Sequence, residues 1–140
     1  MPEPTATPLT VVDAANVVGS RPNGWWRDRP GAARDLVTRL VAAVAGGALD
    51  PDVVVVLEGR ARPGAAVGPA GPGVTVVHAS HSGDDEIVAQ VAAATHTPLR
   101  VVTADRALAD RVHAHGATVV GPTWLLDRLP QPIGPGETST

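Results

Sequence analysis

The sequence has no cysteine, lysine, tyrosine or phenylalanine. Without cysteine there can be no disulfide, no disulfide-linked partner, no thiolate metal site and no cysteine nucleophile, a usage compatible with a reducing compartment. Trp25, Trp26 and Trp124 are the only aromatic residues, so the core has to be aliphatic, built from Val, Leu, Ile and Ala. All 11 basic residues are arginine, which in a chain so rich in Ala, Gly, Pro and Val reflects GC-rich coding as much as selection and discounts any single arginine as evidence. The net charge of -3 supplies no global basic field, so any site for a polyanion must be local. No apolar run approaches the roughly 20 residues needed to cross a bilayer. The segment Met1 to Thr7 lacks the basic start and apolar stretch of a signal peptide, so the expectation is a soluble, cytoplasmic protein with no membrane partner.

A chain of 140 residues with 44% hydrophobic content fits one domain with a continuous core. We expect flexible tails at 1–8 and 130–140 around a domain at 9–129. Leu9 to Val12 and Val53 to Leu57 are continuous apolar runs, which predicts strands buried on both faces. Val74 to Val77, Leu99 to Val102 and Thr118 to Val120 read as three more. Pro30 marks the start of a helix carried by Leu36, Val37, Leu40, Val41 and Val44 and stopped by Gly46-Gly47. Further helices are expected at about Asp84 to Thr95, Asp105 to His115 and Thr123 to Leu129. Residues 59–73 hold too many Gly and Pro for either regular element and read as a surface loop. Strands alternating with helices predict an α/β fold, a three-layer αβα sandwich with a mainly parallel five-stranded sheet.

In such sheets, ligands sit beyond the carboxyl ends of the strands where strand order reverses. That rule gathers Asp13, Glu58 and Asp105 at one rim and brings Asp84 to it from the start of a helix. Each acid also has an ordinary reading. Asp13 suits a turn aspartate bonding nearby amides. Ser82 and Asp85 resemble a capping pair, with Asp84 favoured in a first helical turn by the helix dipole. Thr103 suits an N-cap with Asp105 in the first turn. Carboxylates that do converge repel unless they share a cation. An oxygen-only set, with no Cys and no histidines at useful spacing, favours Mg²⁺ or Mn²⁺ over zinc.

The segments Val-Val-Asp-Ala-Ala-Asn-Val-Val-Gly, Val-Val-Leu-Glu-Gly, Ser-Gly-Asp-Asp-Glu-Ile and Val-Val-Thr-Ala-Asp-Arg-Ala-Leu, in that order, resemble the NYN branch of the PIN-like nucleases, particularly the YacP-like group. The resemblance covers roughly residues 9 to 129. It implies a PIN-like parallel sheet between helices and a Mg²⁺- or Mn²⁺-dependent ribonuclease site. Position by position it implies Asp13, Asp84 and Asp105 as metal-binding acids, Asn16 and Thr103 as polar supports, and Asp85 as a further acid. Where the group often has Asp after the second strand this chain has Glu58, which reads as a second-layer acid or a turn residue.

On the substrate side, Trp25, Trp26 and Arg27 follow Asp13 and Asn16 in a loop suited to stacking unpaired bases and binding phosphates. The packing alternative is that one Trp braces the helix near Pro30 and the other covers the sheet. Arg106, beside Asp105, is placed to touch a phosphate, although an arginine on a helix surface is usually just solvated. RNA is the expected partner, with internal cleavage ahead of end-trimming, and a homodimer is left open. The competing readings are a non-catalytic RNA- or protein-binding module and a metal-dependent phosphohydrolase of small nucleotides. A covalent aspartyl mechanism is disfavoured because Ala15 stands two residues after Asp13 and the chain has no Lys. A dinucleotide site lacks its glycine-rich loop.

Overall fold

The computed structural model describes residues 8–21, 24–94 and 98–131, apart from the side chain of Trp25. The tails expected at 1–8 and 130–140 therefore lie almost wholly outside the described residues. Among these residues the strands are β1 (Leu9–Asp13), β2 (Val53–Leu57), β3 (Gly68–Gly71), β4 (Val74–His78), β5 (Leu99–Val102) and β6 (Thr118–Val120). The helices are α1 (Ala14–Gly19), α2 (Arg29–Ala45), α3 (Gly83–Ala93), α4 (Arg106–His113) and α5 (Pro122–Leu126), with 3₁₀ turns at Trp25–Arg27 and Gly59–Gly64. The strands form one sheet in the order β3-β4-β2-β1-β5-β6. Every neighbouring pair is parallel except β3 with β4.

The uninterrupted valine runs are explained by what covers them. Val11, Val56 and Val101 point to one side, against Ile87 and Val91 of α3 and Leu108 and Val112 of α4. Val12, Val55 and Val102 point to the other, against Leu36 and Leu40 of α2 and Leu125 of α5. A strand covered on both faces has no position left for a polar residue until it ends. Helix α2 starts where Asp28 accepts a bond from the Gly31 amide at 2.9 Å and ends at Gly46, as its punctuation predicts.

Two expectations are corrected. The sheet has six strands, not five, and the extra one lies in the segment read as an unstructured loop. Gly59–Gly64 winds into a 3₁₀ turn, and Gly68–Gly71 adds an antiparallel edge strand whose register shifts between Pro69 and Gly71. An edge position tolerates proline because one side of its backbone needs no ladder partner. The glycines permit close approach: a Cβ on Gly71 would lie 2.6 Å from the Val41 side chain, and one on Gly64 would lie 2.2 Å from the Pro30 carbonyl oxygen. Helix α1 was also not expected, since six residues are too few to show a helical period.

Chain order places the site. From β1 the sheet grows through β2 to β4, and the chain then crosses to the opposite side of β1 to add β5 and β6. The reversal falls between β1 and β5, paired from Leu9↔Leu99 to Val12↔Val102. Past their carboxyl ends one chain enters α1 and the other α4, which opens a crevice at the switch point. Among the described residues no helix is long and apolar enough to cross a membrane.

Candidate active site

Asp13 is the last residue of β1 and the N-cap of α1, so the turn reading of this residue is correct as far as it goes. Its Oδ1 accepts from the Asn16 amide at 3.2 Å, and its Oδ2 accepts from the Thr103 hydroxyl at 2.9 Å. A capping bond alone would hold a carboxyl acidic. Asp13 is only 6% exposed, however, and burial pushes its pKa up to about 6. The bonds from Thr103 and Asn16 pull the other way, and the charges of Asp84 and Glu58 add to the rise. Desolvation wins, leaving a carboxylate held at a cost that packing does not explain.

The β5 side is stitched to it. Thr103 Oγ1 also accepts from the Asp105 amide at 3.1 Å, and Asn16 Oδ1 accepts from the Ala104 amide at 2.7 Å. Asp105, not Thr103, is the N-cap of α4, accepting from the Leu108 amide at 3.1 Å. Thr103 instead joins the Asp13 carboxylate to the Asp105 backbone amide, a role its hydroxyl, donor and acceptor at once, can fill while the residue stays buried.

Glu58 lies one residue past β2, and its Oε2 accepts from the Gly83 amide at 2.7 Å. A Cβ on Gly83 would come within 3.0 Å of the Glu58 carboxyl carbon, so glycine lets this acid seat directly on the first turn of α3. Asp84, in that turn, has its pKa raised by burial first and then by the charges of Asp105 and Glu58, with Arg111 opposing. Its neighbour Asp85 is exposed, donates its backbone N–H to the Ser82 cap, and pairs with Arg111 at 3.0 Å, which lowers its pKa. Asp84 thus lies in electrostatic range of Asp13, Glu58 and Asp105, and Asp13 in range of Glu58, while Asp85 has a surface partner instead.

Among the described residues no three His, Cys, Asp or Glu side chains are placed to hold one metal ion together. The donor chemistry nevertheless fits a hard divalent ion, because the acids at the rim offer carboxylate oxygens. Mg²⁺ retains several waters and is commonly held by one or two carboxylates plus substrate phosphates, so a closed protein cage is not required.

A cleft of about 350 Å³ opens beside Glu58, between Ala15 and Val18 of α1, Ala33 of α2 and Ala61 of the 3₁₀ turn, with Arg29 and His81 on its lining. A second of about 350 Å³ is lined by Trp26, Arg27, Arg29 and Arg60. Trp26 is 53% exposed, and the Arg27 guanidinium lies 5.8 Å from its ring centre. The Trp25 side chain lies outside the described residues. Arg106 is exposed at the start of α4 and lines neither cleft. Of the cleft residues, Arg29 ends the Trp- and Arg-bearing loop read as suited to phosphates, Arg60 falls in the segment read as a surface loop and is discounted there as a phosphate contact, and His81 is read only as flanking a turn.

No family model matches the sequence, and no curated protein matches it significantly. The fold is shared with solved structures of Rae1 (YacP) from Bacillus subtilis. One is 22% identical, with a TM-score of 0.66 over 86% of this chain and 72% of that chain. A point mutant of the same protein is 18% identical, with a TM-score of 0.66 over 86% of this chain and 74% of that one. The likeness is one of architecture, and it falls on the group whose motifs the sequence resembles.

Proposed function

We propose that the chain is a divalent-metal-dependent ribonuclease of the NYN type that hydrolyses RNA phosphodiester bonds internally, at the rim formed by Asp13, Asp84 and Asp105. The observation that carries this reading is Asp13: a buried carboxylate, crowded by other acids, at the switch point of a fold shared with Rae1 (YacP). Nothing in folding requires such a group, whereas a cation and a phosphate would both use it. Asp13, Asp84 and Asp105 would hold Mg²⁺ or Mn²⁺. When bound, the ion lowers the pKa of a coordinated water and offsets charge on the attacked phosphate. Thr103 fixes the orientation of the Asp13 carboxylate, and Asn16 ties the α1 turn to the β5 end. Glu58 acts through α3 by setting where Asp84 stands, and Asp85 is outside the working set. The expected products carry a 5′-phosphate and a 3′-hydroxyl.

The test is cleavage of single-stranded and structured RNA with Mn²⁺, comparing wild type with Asp13→Asn and Asp105→Asn. Each substitution is expected to lower the rate by about a hundredfold or more, and Thr103→Val by about tenfold to a hundredfold, the range for residues that orient metal ligands. Equal activity in wild type and both aspartate variants overturns the proposal. The lack of three carboxylates already placed around one point favours a second reading, a module that binds RNA without cutting it. Calorimetric titration separates them, because a protein that takes up neither Mg²⁺ nor Mn²⁺, with or without RNA, is the binding module.

A further inference from the structure

We propose that the cleft between α1, the start of α2 and the Gly59–Gly64 turn is a single-strand subsite: it takes one unpaired RNA base next to the acidic rim, while Arg29 and Arg60 bind the phosphates leading away. The inference rests on the ribonuclease reading for the identity of the polymer, and on the geometry for its path.

Continuity is the first observation. The cleft beside Glu58 and the one beneath Trp26 share Arg29, and the first is lined by Gly59 where the second is lined by Arg60. Together they make one track from the acids to the exposed Trp26. Charge is the second. A chain of net charge -3 must bind a polyanion locally, and Arg27, Arg29 and Arg60 meet on the outer cleft against one acid, Asp28, whose Oδ1 is engaged by the Gly31 amide as the cap of α2. Shape is the third. Ala15, Val18, Ala33 and Ala61 give the inner cleft short aliphatic walls, and its volume of about 350 Å³ lies at the small end for ligand clefts. Paired bases are stacked inside a duplex with their faces covered, so only a base turned out of a single strand can enter.

The wall supplied by the Gly59–Gly64 turn is also fixed in advance. It packs so closely on the start of α2 that a Cβ on Gly64 would sit 2.2 Å from the Pro30 oxygen. Arg62 Nε donates to the Gly59 carbonyl at 3.2 Å, and His78 Nε2 lies 2.7 Å from the Ala65 carbonyl oxygen. A subsite assembled before its ligand arrives loses less to ordering when the ligand binds.

The experiment is fluorescence anisotropy of a short labelled RNA, as single strand and as hairpin duplex, with wild-type protein in EDTA, so that neither metal nor cleavage contributes. The single strand is expected to bind at least about tenfold more tightly than the duplex. Arg60→Glu should weaken single-strand binding about tenfold and flatten its salt dependence by roughly one to two phosphate contacts. Ala61→Phe, which fills the inner cleft, should weaken it by about tenfold. Arg34→Glu, on an exposed part of α2 away from the track, should change neither. If Ala61→Phe melts lower than wild type, Arg60→Glu at its exposed site decides alone. Wild-type affinity in both groove variants, equal losses in Arg34→Glu, no preference for single strands, or no binding by wild type overturns the subsite. If wild type cleaves with Mn²⁺ but the groove variants bind normally, the subsite falls and the nuclease reading stands. If the variants lose affinity as described and wild type never cleaves, the subsite stands and the nuclease reading falls.

Discussion

At the residue scale, the burial of the Asp13 carboxyl works against stability, and the conflict has a sign that pH reveals. Its pKa is about 6 in the folded chain and 3.8 as an ordinary aspartate, so the folded state keeps a proton that the unfolded state gives up. Stability from this group is therefore full below about pH 4, is lost as pH rises toward 6, and levels off above it, a change on the order of 2–3 kcal/mol. Asp84 shifts in the same direction. Asp13→Asn removes the ionisation, and its amide can still accept from Asn16 and donate to Thr103. The expected outcome is a variant without nuclease activity that is more stable than wild type in urea at pH 8, with the advantage cut to roughly a third at pH 4.5 and gone near pH 3. An unchanged gap between pH 8 and pH 4.5 would show that Asp13 titrates normally. Thr10 presents a simpler case. Its hydroxyl is buried in β1 with no hydrogen-bond partner, at 0% exposure. Thr10→Val keeps the shape and removes the orphaned group, so a gain of about 1 kcal/mol is expected in the same melts.

At the scale of the element, the legible parts of the fold were those whose signal is local. Val53 to Val56 could only be a doubly covered strand, and α2 announced both of its ends. What escaped was structure made by contact with something distant in sequence. Six residues from Ala14 to Gly19 become α1 because Asp13 caps them and Ala14 and Val17 are buried, not because of periodicity. The segment 59–73 folds because its glycines fit against α2. The same close fit makes Gly64→Ala costly, since the new methyl meets backbone and not a movable side chain. A loss of about 1–3 kcal/mol is expected in thermal or urea unfolding, in line with overpacking elsewhere. A wild-type midpoint would mean that the turn does not rest on α2. For the candidate site, the sequence offered Asp13, Asp84 and Asp105 as an expected rim, but it could not show that Thr103 joins the Asp13 carboxylate to the Asp105 backbone amide or that Asp85 has Arg111 as a partner.

At the scale of the whole molecule, the sheet is a partition. Leu40 lies in the cluster on the α2 side and Ile87 in the cluster on the α3 and α4 side, with the strands between them. Leu40→Ala is expected to cost about 2–5 kcal/mol and Ile87→Val about 0.5–1.5 kcal/mol. Because they share no neighbours, the double variant should equal the sum within about 0.5 kcal/mol. A coupling above roughly 1 kcal/mol would mean that the sheet transmits packing changes across its thickness.

The bond between Thr103 and Asp13 spans 90 residues of chain. During synthesis the first half of the acidic site emerges early and waits for β5, so a chain still being made holds Asp13, Glu58 and Asp84 with no completed rim. The same delay leaves one edge of β1 without its neighbour and makes nascent and truncated forms prone to clump through that open strand. Contacts of such long range also slow the final closure, so refolding from urea should be limited by the docking of β5 and not by formation of α2.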